Sequence, residues 1–341
     1  MQLRKLIGFG KNSYIVSIPK DWINKNKLKK GDLVSIEESE HGLLLAANAE
    51  NKKKEPKTIV IEAENKNLDL IRAEIVSAYL NNYDIIELIS RDLKTNAEEI
   101  KNILRNLTSL EIIEQTATRM VAKDLVDINE VSIPTVIRRM DIITRAMVED
   151  GIKSIDEDHY ESLRQRDADV NRLHFLGYRV VRSALINPRI ARELKTNSWE
   201  LQCYKMVIMR LEKIADRQKR IARYLKETNL SKETADELKK LYTEIKDRYL
   251  EVMKAFYTND VKLALSVETG NKSKIEACDN FLERHSYCPL AIATRVKDKK
   301  CDKIWHCINL ARIVENLKAM VTSIKYLART TISMEASSLQ K

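Results

Sequence analysis

Residues 198–226 read SWELQCYKMVIMRLEKIADRQKRIARYLK. Leu201, Tyr204, Ile208, Leu211, Ala215, Gln218, Ala222 and Leu225 recur at alternating steps of three and four, and Val207, Ile214 and Ile221 widen the stripe on one side. A seam with this period belongs to a helix packed in a bundle. Neither glycine nor proline interrupts it.

The rest of the chain supports the same reading. Its 341 residues contain 7 glycines and 5 prolines, where an average chain of this length would carry roughly 40 of the two together. Long uninterrupted helices are the expected result. From about Ser132 the pattern is helical to the end, with three helices per half: 133–155, 159–195 and 198–226, then 232–258, 260–285 and 302–331. The halves repeat weakly, because LEKIAD at 211–216 returns as LARIVE at 310–315. Two tandem three-helix bundles follow, over 132–228 and 232–333.

Before Ser132 the pattern changes. Residues 58–127 alternate strand and helix: Thr58–Ala63, Asn67–Leu80, Asp84–Ser90, Asn96–Asn106, Leu110–Thr116 and Met120–Val126. This predicts a small α/β layer without a catalytic constellation, acting as a spacer or dimerisation domain. Residues 50–57, ENKKKEPK, read as a linker. Residues 1–48 form a strand-rich module. Within KNSYIVSIPKDW at 11–22, Tyr14, Val16 and Ile18 alternate with Ser13, Ile15 and Ser17. Pro19 closes the strand and opens a short helical or turn segment at Lys20, Asp21 and Trp22. Lys30-Gly31-Asp32 is a turn before a second strand pattern. The fold class is therefore multidomain α+β, mostly α.

The net charge is +10, and most of it sits at the start of the chain. Residues 1–30 hold Arg4, Lys5, Lys11, Lys20, Lys25, Lys27, Lys29 and Lys30 against the single acid Asp21. Such a patch attracts phosphate groups or simply keeps the surface soluble. Aromatic residues make up 6% of the chain, which disfavours a base-stacking RNA platform. Five cysteines, with no Cys-x-x-Cys spacing, argue against a disulfide framework or a zinc ribbon. Buried thiols are the simpler reading, including Cys278 and Cys288 near His285 and Cys301 and Cys307 near His306. There is no 18-residue apolar run and no secretory signal, so a cytoplasmic protein without direct membrane insertion is expected.

One helix carries polar groups within its apolar stripe. Leu163, Asp167, Val170, His174, Gly177, Val181 and Ala184 step by fours and threes, and Asn171 lies one turn beyond Asp167. A buried carboxylate must pair, reach an edge or bind a metal. On the next helix Glu212 and Asp216 are four apart. If the two helices are neighbours, four oxygen-bearing side chains meet at one bundle edge. Such a set suits a hard cation, and Arg166, Lys213 and Arg217 could equally make ordinary ion pairs. His174 reads either as a satisfied core histidine or as a ligand. Nothing points to nucleophilic catalysis.

Two family resemblances follow. Residues 1–45, through KNSYIVSIPKDW and LKKGDLV, resemble the AbrB/MazE family of swapped-hairpin DNA-binding domains. This implies that two chains interleave their hairpins into one small β-barrel head. It also implies that Arg4, Lys5, Lys11 and Lys20 face double-stranded DNA. Here Lys11 stands where many members have glycine, and Ile23 and Asn24 replace the family's paired arginines. The C-terminal 200 residues resemble PhoU, the phosphate-uptake regulator, whose bundles carry a [DE]xxxD motif on two helices. Asp167-Ala168-Asp169-Val170-Asn171 matches the first with Asn in the second acidic place, and Glu212-Lys213-Ile214-Ala215-Asp216 is intact. The resemblance implies a divalent metal or iron at Asp167, Asn171, Glu212 and Asp216. In the second half Ala311 replaces the acid while Glu315 remains, and Lys272 and Glu276 mark the other helix. LRNLTSLEIIEQ at 104–115 resembles archaeal PhoU-like proteins fused to an AbrB-type head. The expected protein is a non-enzymatic, dimeric DNA-binding regulator of phosphate homeostasis with metal-sensing bundles. The alternative is an adaptor that inhibits a phosphate transporter or sensor kinase by protein contact, its head serving only for dimerisation.

Overall fold

A computed structural model describes residues 3–11, 13–39, 42–47, 56–285 and 302–338. The chain divides into two compact units, Met1–Glu55 and Pro56–Lys341. Residues 50–55 of the expected linker, and Cys288 and Cys301, lie outside the described residues.

The first unit is built from short hairpins. Strands β1 (Ile7–Phe9) and β2 (Ser13–Ile15) pair antiparallel, with Ile7 opposite Ile15. Gly10, at φ +69°, supplies the left-handed backbone their turn requires. Strand β2 is shorter than the alternation predicted and stops four residues before Pro19. The proline is spent on the next element: it is the N-cap of α1 (Lys20–Lys25), and its carbonyl accepts from the N–H of Trp22 and Ile23. The turn at Lys30-Gly31-Asp32 is closed by Lys29 N–H donating to Asp32 Oδ2 at 2.7 Å. Strands β3 (Val34–Ser39) and β4 (Gly42–Ala47) make a second antiparallel pair.

The second unit opens with a two-layer α/β body. Strands β5 (Thr58–Glu62), β6 (Ile85–Ile89), β7 (Leu110–Gln115) and β8 (Arg119–Asp124) form one sheet in the order β5-β6-β8-β7. Helices α2 (Leu68–Leu80) and α3 (Ala97–Arg105) lie on it. Ile71, Ile75, Ala78 and Tyr79 of α2 meet Ile86, Leu88, Met120 and Ala122 of the sheet, all buried. The N-terminus of α2 is capped by Asn67, whose Oδ1 accepts from Leu70 N–H at 2.8 Å.

The helical body follows with α4 (Ile133–Lys153), α5 (Tyr160–Ile186), α6 (Pro188–Glu193) and α7 (Ser198–Lys226). Then come α8 (Lys232–Thr258), α9 (Val261–Thr269), α10 (Asn271–His285) and α11 (Asp302–Ser338). Two helices expected to be continuous are broken. Asn187-Pro188 splits 159–195, because proline can only begin a helix there. Gly270 ends α9, and buried Asn271 donates back to Val267 O at 2.8 Å.

Apart from half-buried Tyr204, the seam of α7 is buried as its spacing requires. Its one amide, Gln218, is satisfied by Tyr242 Oη of α8 and by Ile214 O at 3.0 Å. Helices α7 and α11 run antiparallel through the middle of the helical body. Trp199 Nε1 donates to Ser333 O at one end, and Asn309 Nδ2 donates to Glu227 O at the other. Arg217 Nη1 donates to Asn316 Oδ1 at 3.1 Å between positions 99 residues apart, the offset at which LEKIAD returns as LARIVE. The two halves therefore face each other across a common core running from Ile133 to Ala328. A second staple is Asp141 of α4, buried, which accepts from Tyr249 Oη at 2.6 Å and Tyr257 Oη at 3.0 Å.

Candidate functional site

The basic residues of the first unit are placed on its surface. Arg4 and Lys5 precede β1, Lys11 lies in the hairpin turn and Lys20 starts α1, all four exposed. Large apolar side chains are exposed beside them. Phe9 is 64% exposed and Tyr14 72%, joined by Leu6, Ile7, Ile15 and Ile36. Among the residues of 3–47 whose side chains are described, none is buried. Hairpins this short need a covered apolar face to be stable.

On the helical body, α5 and α7 are neighbours. Their approach is close because Gly177 has no side chain: an added Cβ would lie 2.7 Å from Ile208 Cδ1. This brings Asp167 and Asp216 to one lysine. Lys219 Nζ is 2.5 Å from Asp167 Oδ2 and 3.3 Å from Asp216 Oδ1. Asn171 Nδ2 donates to the same Asp167 oxygen at 3.3 Å, and Arg220 Nε lies 2.8 Å from Asp216 Oδ2. Burial works against the Lys219 ammonium. The hydrogen bond and charge of Asp167, with the charge of Asp216, outweigh it and hold its pKa above the usual lysine value.

Glu212 stands apart from this group, with its own contact to Lys213 at 3.4 Å. Its charge acts on His174. Burial pulls His174 below the usual imidazole value, while Glu212 and a backbone hydrogen bond at Ile208 oppose that shift. Three of the four expected ligands thus gather, and the cation among them is an ammonium. Among the described residues, no three His, Cys, Asp or Glu side chains converge as a metal-holding group.

A third polar centre was not legible in the sequence. Arg179 of α5 is 1% exposed, and its guanidinium pairs with Asp124 at the end of β8. Its Nε donates to Asn82 Oδ1 at 2.7 Å, and its plane lies 4.5 Å from the centre of the Tyr79 ring. Ser109 Oγ donates to Asp124 Oδ1 at 2.5 Å. Asn82 and Ser109 both hold left-handed backbone, at φ +55° and +75°. Nearby, Arg182 Nη1 donates to Leu80 O at 3.0 Å. The α/β body is thus locked to the bundle through a buried ion pair. An arginine at one helix position looks the same in sequence whether it meets water or an aspartate.

Residues 9–66 match the family model described as antidote-toxin recognition MazE, bacterial antitoxin. The chain is also similar to the crystal structure of PhoU from Pseudomonas aeruginosa. That likeness covers 60% of this chain and 96% of that one, at 17% identity and a TM-score of 0.49. No curated protein matches the chain. Among the described residues, no helix is long and apolar enough to cross a membrane.

Proposed function

We propose that this protein is a DNA-binding regulator whose first unit assembles as a homodimer on double-stranded DNA and whose helical body reports on phosphate status. The observation that carries the reading is the first unit itself. It exposes Ile7, Phe9, Tyr14 and Ile15, buries none of its described side chains, and sets Arg4, Lys5, Lys11 and Lys20 around that apolar surface. A second copy interleaved with the first supplies the missing core and doubles the cationic surface. The match of residues 9–66 to the MazE model supports this. The link to phosphate rests on the PhoU-like motif at Glu212 and Asp216.

A divalent cation or iron at Asp167, Asn171, Glu212 and Asp216 belongs to the same proposal and requires the Lys219 ammonium to withdraw. The test of the main reading is a gel shift across a salt series. Replacing Arg4, Lys5 and Lys11 by alanine weakens duplex binding and flattens its salt dependence by up to about three phosphate contacts. Binding equal to the parent at every salt concentration refutes the head's role. Capture of transporter or kinase subunits by a chain that ignores DNA would favour the adaptor reading.

A further inference from the structure

Helices α2, α3 and α5 line an open cleft of about 290 Å³ where the α/β body meets the bundle. Its walls are apolar: Val76 from α2, Ile103 and Leu107 from α3 and the chain after it, Ala168 and Phe175 from α5. Phe175 also packs on the core of the α/β body, so the cavity floor belongs to both bodies at once. Three polar groups complete the lining: Arg72, Asn106 and Asn171. Arg72 and Asn106 are exposed at its rim, and among the described residues neither side chain has a hydrogen-bond or ion-pair partner within the protein. Asn171 uses only its Nδ2, toward Asp167, which leaves its Oδ1 uncommitted.

An apolar cleft with a few convergent and unspent polar groups is the usual form of a small-molecule site, and this volume lies at the small end of such sites, near 300 Å³. The lining selects the ligand chemistry. Arg72 at the rim of α2 offers a guanidinium fork for a carboxylate. The amides of Asn106 and Asn171 can each donate and accept, so they suit an amino or keto group next to that carboxylate. The five apolar walls want a branched or aromatic body. Inorganic phosphate would leave those walls wet.

We infer that this cavity binds a small apolar carboxylic acid, a branched-chain or aromatic 2-amino or 2-keto acid, as an effector. The inference deepens the sensor role proposed for the helical body. A ligand there bridges α2 and α3 to α5. It also takes up Asn171, which touches the Asp167–Lys219–Asp216 group, so occupancy bears on both the junction and the carboxylates.

The test is titration calorimetry on the full chain with L-leucine, L-phenylalanine, 4-methyl-2-oxopentanoate, phenylpyruvate and inorganic phosphate. At least one organic acid is expected to saturate with a Kd below about 1 mM. Arg72→Ala should weaken it at least about tenfold, and Ala168→Leu, which fills the cavity, should abolish it. The melting temperature of each variant checks that it folds. No binding by any of the four acids, or equal binding by parent and both variants, overturns the inference, as does a response to phosphate alone. Because DNA binding is read separately by gel shift, failure of the DNA reading leaves the calorimetric result intact.

Discussion

Lys219 sits between Asp167 of α5 and Asp216 of its own helix, 2.5 Å from the first carboxylate and 3.3 Å from the second. One lysine therefore bridges two acids at the bundle edge, and Arg220 supplies Asp216 with a second cation. Removing it leaves the nearly buried Asp167 without its cation. Lys219→Ala should destabilise the fold by about 3 kcal/mol, read by denaturant unfolding. The pH sense follows from the raised pKa of Lys219. Its contribution is complete below the ordinary lysine value of about 10.4 and fades as pH climbs through the higher folded value. The same variant tests the metal. With the ammonium gone, millimolar Mn²⁺ should raise the melting temperature of the variant more than that of the parent. Identical responses would exclude a cation site at these residues.

The first unit offers a separate test. Phe9→Asp places a charge on the apolar surface that a second copy is proposed to cover. Light scattering at micromolar concentration should show monomer where the parent is dimer, with duplex binding lost in parallel. An unchanged mass together with unchanged DNA affinity would remove the interleaved head from consideration.

Arg179→Met should cost about 3–5 kcal/mol, because it strands the buried carboxylate of Asp124. Arg179→Lys should recover little, since one ammonium cannot serve Asp124 and Asn82 in the guanidinium's planar geometry. Hydrogen exchange at Ile86 and Leu88 of the central strand should accelerate while amides of the α7 seam stay protected. Uniform acceleration across both bodies would show that the pair does not act at their junction.

Alkaline pH should unfold the helical body through its tyrosines. Burial raises Tyr242 and Tyr249 far above the ordinary phenol value, and Asp141 raises Tyr249 further. The unfolded chain releases these protons from about pH 10, so stability falls as pH rises beyond that point. The double variant Tyr242→Phe, Tyr249→Phe should be less stable at neutral pH, having lost the bonds to Gln218 and Asp141. It should nevertheless lose stability less steeply above pH 10. Matched slopes in circular dichroism titrations would refute this.

Burial pushes the Cys203 thiol up to about 11 and that of Cys278 up to about 12. At pH 8 neither is a thiolate, and both are buried. Iodoacetamide should leave both unmodified in the native protein and alkylate them after denaturation, as peptide mass spectrometry would show. Rapid native labelling of either would contradict the packing of α7 or α10.

The periodicities carried much of the fold. The seam from Leu201 to Leu225 names its own helix, because burial on one face of a 3.6-residue repeat leaves a pattern that no neighbour is needed to read. The helices of 58–127 were legible for the same reason, and its strands as short apolar runs between them. Asp167 declared itself as a carboxylate inside an apolar stripe. Its partner did not: Lys219 lies outside the seam, and only the crossing of α5 over α7 at Gly177 brings the two together. Glu212, sharing a motif with Asp216, pairs with Lys213 rather than Lys219, because one turn of helix is enough to give two acids different neighbours.

By itself, then, the amino-acid string determined the element types, their order, and the concentration of positive charge in the first thirty residues. These are local properties, set by spacing and composition along the chain. The tertiary structure alone decided that α7 and α11 join the halves in one core, that Arg179 meets Asp124, and that α2, α3 and α5 leave a cavity between them. Each of these joins residues dozens of positions apart, and their distances depend on how helices cross, which no single segment encodes.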